Sequence, residues 1–117
     1  METLRVCTIE DIVAEKLRAL LQQAPRKRNR PQDLLDIVVA VQRNADLDLT
    51  QIGQFVQDKS ASRAIAVHKS AFHAPGFADL THEGYQELSL TTRHTFIPFD
   101  DALAILLTFI DRLPIPE

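Results

Sequence analysis

Residues 14–37 read AEKLRALLQQAPRKRNRPQDLLDI, and this stretch decides the fold of the chain. Its first part continues an apolar pattern of helical spacing, which predicts an amphipathic helix over residues 9–23 with Thr8 as its N-cap. Pro25 and the cations after it form the connector, and Pro31 suits the first turn of a second helix, predicted over residues 31–43. Because the connector is short, we expect these two helices to pack as antiparallel neighbours.

The rest of the chain also shows helical periodicity, with capping residues and chain breakers between the segments. The further predicted segments are residues 49–57, a segment that begins near Ser60 and is broken by the APG of residues 74–76, residues 81–90 and residues 99–113. The run LRVC of residues 4–7 predicts a short N-terminal extended segment. The expected fold is mainly α, a small irregular bundle of about five to six helices in which residues 1–117 form a single helical domain.

Composition and charge restrict the class of protein. The chain has 117 residues, of which 45% are apolar and 25% charged, so it can bury a core without a disulfide or a metal. The single cysteine, Cys7, and the lack of a signal-peptide pattern favour a reducing compartment, so we expect a cytoplasmic protein. The longest apolar run, at residues 102–110, is too short for a membrane span. A net charge of −3 argues against a general nucleic-acid-binding protein.

On a helical wheel, Lys16 lies on the apolar face of the first predicted helix, between Ile12 and Leu20, and Asp11 and Arg18 lie on the opposite side. Because desolvation of an ammonium is costly, Lys16 either extends to water or pairs with an acid. Antiparallel packing brings Asp33 and Asp36, at the start of the second predicted helix, within reach. Two interpretations stay open, a structural ion pair or a polyphosphate site in which the acid accepts a proton or a metal.

Four cations crowd into the connector between the two helices. They are Arg26, Lys27, Arg28 and Arg30 in the run RKRNR. They carry a charge of +4, which leaves −7 for the rest of the chain. Such a local cluster is either an anion site or a solvated connector.

The pair of segments AEKLRALLQQ and RPQDLLDI resembles the lysine motif EKLxALL and the aspartate motif RDxxDI of the AbiEii/AbiGii nucleotidyltransferase toxin family. The AF of residues 71–72 and the PFDDALAILLTFI of residues 98–110 are similar to the C-terminal part of that family. The resemblance implies that Lys16 helps to hold a nucleoside triphosphate (NTP) and that Asp33 or Asp36 takes part in catalysis. Where a partner supplies the DxD pair, we expect the basic connector with Arg26, Lys27, Arg28 and Arg30 to contact the NTP or RNA.

The chain departs from the family pattern in two places. Gln32 stands where the family commonly has arginine. Family members also begin with a core in which a glycine turn precedes a DxD pair that holds magnesium, whereas this sequence opens at the lysine motif. The DLD of residues 46–48 follows a helix without such a turn, so it is interpreted as an N-cap loop.

We therefore expect the C-terminal helical domain of an AbiEii-like nucleotidyltransferase, without the N-terminal catalytic core and inactive alone. No metal site and no cofactor are expected in this chain by itself, and NTP with Mg²⁺ is possible where the core is supplied. The expected partners are an N-terminal nucleotidyltransferase half, an antitoxin or a second copy of the chain, and no membrane. RNA, bound through RKRNR, is the least favoured partner because of the net negative charge.

The alternative from another class is a non-enzymatic module that self-associates or binds another protein. The wide apolar faces of the second and last predicted helices favour it, because such faces are commonly covered by association. Histidine chemistry is not expected, because the four histidines lack the spacing of metal ligands on one helix face.

Overall fold

The computed structural model describes residues 8–92 and 95–117, with the backbone alone for residues 24 and 25. The α-helices of this part are α1 (Ile9–Leu21), α2 (Gln23–Arg26), α3 (Pro31–Arg43), α4 (Leu49–Ala61), α5 (Lys69–His73), α6 (Pro75–His82) and α7 (Phe99–Arg112), with a 3₁₀ helix over Gln86–Leu90. The prediction of a mainly α, irregular bundle is confirmed. The predicted extended segment, residues 4–7, lies outside the described residues.

Local chemistry explains where the three helices of thirteen residues begin. The Thr8 side chain accepts a hydrogen bond from Asp11 N at 3.1 Å and caps α1. Asp48 does the same for α4, accepting from Gln51 N at 3.0 Å, so the DLD of residues 46–48 is a capping loop as predicted. Pro31 occupies the first turn of α3, where its missing donor costs nothing, and the bounds of α3 are those predicted.

Three predictions downstream of α3 are wrong in their bounds. The segment predicted to begin near Ser60 is a separate α-helix only over Lys69–His73, as α5. Helix α4 continues to Ala61 instead of residue 57, because its last turn is also packed, with Ser60 fully buried. The predicted helix over residues 81–90 is replaced by α6 and the 3₁₀ helix, separated at Gly84, whose φ of 81° an α-helix does not allow. Pro75 begins α6 here, whereas the sequence had suggested only a break.

Helix α1 holds the bundle together, because it packs against both α3 and α4, while α3 packs in turn against α7. The largest fully buried apolar side chains are Leu17, Leu20, Leu34, Leu35, Ile37, Ile52, Phe72, Tyr85, Leu106, Ile110 and Leu113. Their burial supplies the main free energy of folding, at about 1.5–3 kcal/mol for each large side chain. None of the helices in residues 8–92 and 95–117 has the length and apolarity that a membrane span requires.

The short helix α5 begins against residues that are distant in sequence. Lys69 N donates to Pro116 O at 2.7 Å, and Ser70 N donates to Glu117 O at 3.0 Å. The Lys69 ammonium also donates to Asp111 O at 2.9 Å, at the end of α7. The first donors of α5, which no residue of α5 itself can satisfy, are therefore supplied with acceptors by residues 116 and 117.

An aromatic group closes the end of the bundle where α6, the 3₁₀ helix and α7 meet. The Tyr85 ring lies 5.4 Å from the rings of Phe96 and Phe99, measured between centroids, and its hydroxyl donates to Ile97 O at 2.5 Å. Burial raises the pKa of Tyr85 to about 12. Tyr85 is the single tyrosine of the chain, so its titration can be observed directly.

Candidate functional site

Lys16 meets both aspartates of the second predicted helix. Its ammonium donates to Asp33 Oδ1 at 3.2 Å and to Asp36 Oδ2 at 2.9 Å, across the contact between α1 and α3. The expected proximity of the lysine and aspartate motifs is therefore found. Lys16 lies at the edge of the buried face rather than in its middle, because Ile12 on the same side is 43% exposed.

The two aspartates differ in what surrounds them. The Asp33 side chain is only 8% exposed, and its second oxygen accepts from Arg30 Nε at 2.8 Å. The Asp36 side chain is 35% exposed, and its second oxygen accepts from Gln32 Nε2 at 2.8 Å. We call Lys16, Arg30, Asp33 and Asp36 the lysine cluster. Its two positive and two negative charges balance.

The lysine cluster shifts the titration of Lys16. Burial by itself lowers the pKa of Lys16, but the hydrogen bond and charge of Asp36 and the charge and hydrogen bond of Asp33 raise it above the usual 10.5. Lys16 is therefore cationic throughout the neutral range. An ammonium has three donors and the aspartates take two of them, so one remains for a further acceptor.

A cavity of about 400 Å³ opens beside the lysine cluster, and we call it the lysine cavity. Its lining residues are Asp11, Ile12, Glu15, Lys16, Arg18, Ala19, Arg30, Asp33 and Lys59. Lys59 of α4 pairs with Asp11 of α1 at 3.1 Å and closes one side. Asp33 lines this cavity together with Lys16, whereas Asp36 does not.

A second cavity, of about 370 Å³, adjoins the first, and we call it the arginine cavity. Its lining residues are Arg18, Ala19, Gln22, Arg26, Arg28 and Arg30. It shares Arg18, Ala19 and Arg30 with the lysine cavity. Three of the four predicted connector cations are thus brought together, whereas Lys27 is exposed and lines neither cavity.

The buried amide of Gln23 fixes the shape of the connector. Its oxygen accepts from Arg30 N at 2.8 Å, and its nitrogen donates to Thr81 Oγ1 of α6 at 2.9 Å. Gln23 is 1% exposed, so both hydrogen bonds are protected from water. The backbone of the connector is therefore held in a fixed position against α6 by the side chain of Gln23.

Arg18 lines both cavities, although the sequence did not indicate it as a site residue. The helical wheel placed it opposite Lys16, but its side chain is 11% exposed and donates from Nε to Glu15 at 2.8 Å and from a terminal nitrogen to the Gln22 side-chain oxygen. The spacing of Glu15, Arg18 and Gln22 at intervals of three and four residues was the available signal.

Comparison with known proteins supplies the family. The family model described as nucleotidyl transferase AbiEii toxin, Type IV TA system, matches residues 2–105 of the 117-residue chain. The chain belongs to this family. The AbiEii resemblance of the lysine and aspartate motifs is thereby confirmed. Comparisons with curated proteins and with solved structures gave no match.

Within this AbiEii chain, the roles predicted for single residues stay predictions. The nucleotide-binding roles of Lys16, Arg26, Lys27, Arg28 and Arg30 and the catalytic roles of Asp33 and Asp36 are of this kind. Over residues 8–92 and 95–117, no group of three or more His, Cys, Asp or Glu side chains is arranged to hold a metal ion. The lysine cluster has two carboxylates, and both already accept hydrogen bonds from cationic groups.

Proposed function

We propose that this chain is the C-terminal helical part of an AbiEii nucleotidyltransferase and that Lys16 holds a phosphate group of the NTP. The observation that carries the proposal is the third donor of the Lys16 ammonium, which is left over by Asp33 and Asp36 beside the lysine cavity. A cationic donor at the edge of a polar cavity is suited to a phosphate oxygen.

The two carboxylates orient Lys16 for this task. They fix the ammonium on two sides, so little rotamer entropy is lost when a phosphate binds. Both oxygens of Asp33 accept from cations, Lys16 and Arg30, whereas one oxygen of Asp36 accepts only from the neutral amide of Gln32. We therefore propose Asp33 as a positioning residue.

The proposed reaction transfers a nucleoside monophosphate to an acceptor. The acceptor hydroxyl attacks the α-phosphorus, the bond between the α-phosphorus and the bridging oxygen breaks, and pyrophosphate leaves. A base takes the hydroxyl proton, and Asp36 is the better placed aspartate because a third of its side chain is exposed. A magnesium ion would stabilise the charge of the leaving pyrophosphate, and it would need carboxylates beyond those of the lysine cluster. We therefore propose that the chain is inactive without a core that carries the DxD pair.

Binding of an NTP by the chain alone tests the role of Lys16. We expect Lys16→Met to lower NTP affinity about tenfold or more, as the loss of one charge-assisted hydrogen bond does. We propose no nucleotide contact for Lys27, because it is exposed and lines neither cavity. Lys27→Met, which removes the same charge from the connector, is therefore the matched control. Equal NTP affinity of the two variants in isothermal titration calorimetry would overturn the proposal.

Turnover tests the need for a core. The chain with labelled NTP and magnesium should give no transfer, and a second chain that carries the DxD core should restore it. Restored transfer that is unchanged by Lys16→Met would contradict a role for Lys16. The family name also supports an antitoxin as the counterpart of this chain, and co-expression of the two is the way to look for one.

Self-association is the second candidate function. A groove of about 320 Å³ between α3 and α7 supports it, and its lining residues are Val41, Ala104, Ile105, Thr108, Phe109 and Arg112. Light scattering coupled to size exclusion measures the mass directly. A mass of two chains that falls to one in Ile105→Lys would support a non-enzymatic dimer module, and a monomer would exclude it.

A further inference from the structure

We infer that the arginine cavity is a separate subsite for a diphosphate unit, which takes the β- and γ-phosphates of the NTP and therefore also free pyrophosphate. The inference deepens the proposed function and rests on it for the nucleotide. Binding of pyrophosphate itself depends only on the arginine cavity.

The charge of the cavity matches a dianion. Of its four guanidinium groups, Arg18 is paired with Glu15 and Arg30 with Asp33, each at 2.8 Å. Arg26 and Arg28 make no ion pair with an acid of residues 8–92 or 95–117. Two positive charges are thus left for a ligand, and a diphosphate brings at least two negative charges.

The lining also selects a phosphate over a base or a sugar. A planar guanidinium with five N–H donors binds phosphate oxygens in pairs, and Arg30 commits only its Nε to Asp33. The lining holds no aromatic side chain on which a nucleobase could stack. Proteins bind single-stranded RNA through base stacking on aromatic side chains as well as through charge. The lining of the arginine cavity therefore disfavours single-stranded RNA as its ligand.

Position and size fit a polyphosphate that continues from Lys16. The cavity, at about 370 Å³, falls within the usual range for small-molecule sites, about 300–1,000 Å³. Arg18 and Arg30 line both cavities, so a phosphate chain can pass from the lysine cavity to Arg26 and Arg28 without leaving cationic groups. Gln23 holds the connector in place before any ligand binds, which lowers the cost of binding.

Two consequences follow for the reaction. Pyrophosphate should compete with NTP, since both need the arginine cavity. An NTP or a nucleoside diphosphate should bind more tightly than the matching monophosphate, which has no phosphate to place there.

Calorimetry with pyrophosphate as the probe tests the inference on the full chain. Arg26→Gln with Arg28→Gln should weaken pyrophosphate binding at least about tenfold. Lys27→Gln, on the same connector but outside the cavity, should change it less than about twofold. Arg26 and Arg28 are exposed, so the variants should keep the circular dichroism spectrum and melting temperature of the parent chain.

Four results would overturn the inference. The first two are the absence of pyrophosphate binding and a loss of pyrophosphate affinity in Lys27→Gln equal to that in the arginine variant. The other two are pyrophosphate binding no tighter than sulfate binding, and displacement of pyrophosphate by an RNA oligonucleotide that binds with a lower dissociation constant than pyrophosphate. Lys16→Met separates the two proposals, because it should leave pyrophosphate affinity within about twofold while it weakens NTP. Pyrophosphate binding without any effect of Lys16→Met on NTP would leave the arginine subsite in place and refute the role of Lys16.

Discussion

The lysine cluster and the arginine cavity lie side by side and both are rich in charge, but they differ in whether their cations are paired with acids. In the lysine cluster, Lys16 and Arg30 face Asp33 and Asp36, and every charge has a partner. In the arginine cavity, Arg26 and Arg28 have no acid within the described part of the chain. A charge with a partner contributes to stability, whereas a charge without one is available to a ligand.

The contrast also distinguishes a cation that stabilises the fold from a cation that is available to bind a ligand. Lys16 is held by the fold and offers one remaining donor, so a substitution of Lys16 should change stability as well as NTP binding. Arg26 and Arg28 sit on a connector whose position is set by Gln23, so their removal should change binding alone. Variants whose stability and pyrophosphate affinity are both measured therefore test whether the two regions differ in this way.

The largest effect is expected from Asp33→Ala. This change leaves Arg30 without an acid and Lys16 with Asp36 alone, in a partly buried position. Loss of one partner of a fully buried pair costs about 3–5 kcal/mol, and the partial exposure of both cations reduces this to about 2 kcal/mol. Urea unfolding measures the loss. Asp36→Ala is the matched control and should cost no more than about 1 kcal/mol, so an equal or larger loss would contradict the distinction between the two aspartates.

A smaller loss of stability is expected from Gln23→Leu. The substitution removes the acceptor of Arg30 N and the donor to Thr81 Oγ1, and an unsatisfied buried group costs about 1–3 kcal/mol. The same variant should weaken pyrophosphate binding although Gln23 does not line the arginine cavity. Gln42→Leu, at an exposed position of α3, should change neither quantity. Unchanged pyrophosphate binding in Gln23→Leu would show that the connector needs no fixed position.

Alkaline pH should weaken the lysine cluster. The pKa of Lys16 is raised in the folded state, so its contribution to stability is complete below the usual 10.5 and is lost as pH rises through the folded value. Urea unfolding can be measured at several pH values between about 9 and 12, which bracket the usual pKa of a lysine. The free energy of unfolding should fall less over this range for Lys16→Met than for the parent chain. Equal slopes would contradict the pairing of Lys16.

The tyrosine titrates in the same alkaline range but can be followed separately. Burial raises the pKa of Tyr85 to about 12, so stability is also lost as pH rises from the unfolded value of 10.0 toward 12. The near-ultraviolet absorbance of tyrosinate reports this single residue. Its midpoint should be the same in Lys16→Met, and a midpoint near 10 would contradict the burial of Tyr85.

The smallest effect on stability is expected from Arg26→Gln with Arg28→Gln. Both side chains are exposed and neither pairs with an acid of residues 8–92 or 95–117, so the change should stay within about 0.5 kcal/mol. Urea unfolding beside the pyrophosphate titration gives both numbers for one variant. A loss of stability as large as that of Asp33→Ala would erase the difference between the two regions.

The sequence was a good guide where structure is local. Thr8, Pro31 and Asp48 predicted the starts of three helices because capping and proline geometry act within one turn. The pairing of Lys16 with Asp33 and Asp36 was within reach too, because a short connector leaves two helices few ways to pack.

The sequence failed where a contact joins distant residues or where a side chain is long. Gln23 meets Thr81 across 58 positions, and no periodicity carries that information. Arg18 was placed away from Lys16 on the wheel, but a wheel ignores the length of an arginine side chain and the fold of the connector over the end of α1. The segment of residues 75–90 was misjudged because Pro75 and Gly84 act on opposite sides of α6, one at the start and one after the end.

The start of α5 has a consequence for the order in which the chain acquires its structure during synthesis. Lys69 N and Ser70 N donate to the carbonyl groups of Pro116 and Glu117, which the ribosome adds 47 residues later. A helix of five residues is too short to be stable by itself. We therefore expect α5 to order only after α7 and the residues beyond it have left the exit tunnel, while α1, α3 and α4 can assemble earlier. Residues 69–73 would thus be among the last residues of the emerging chain to become helical.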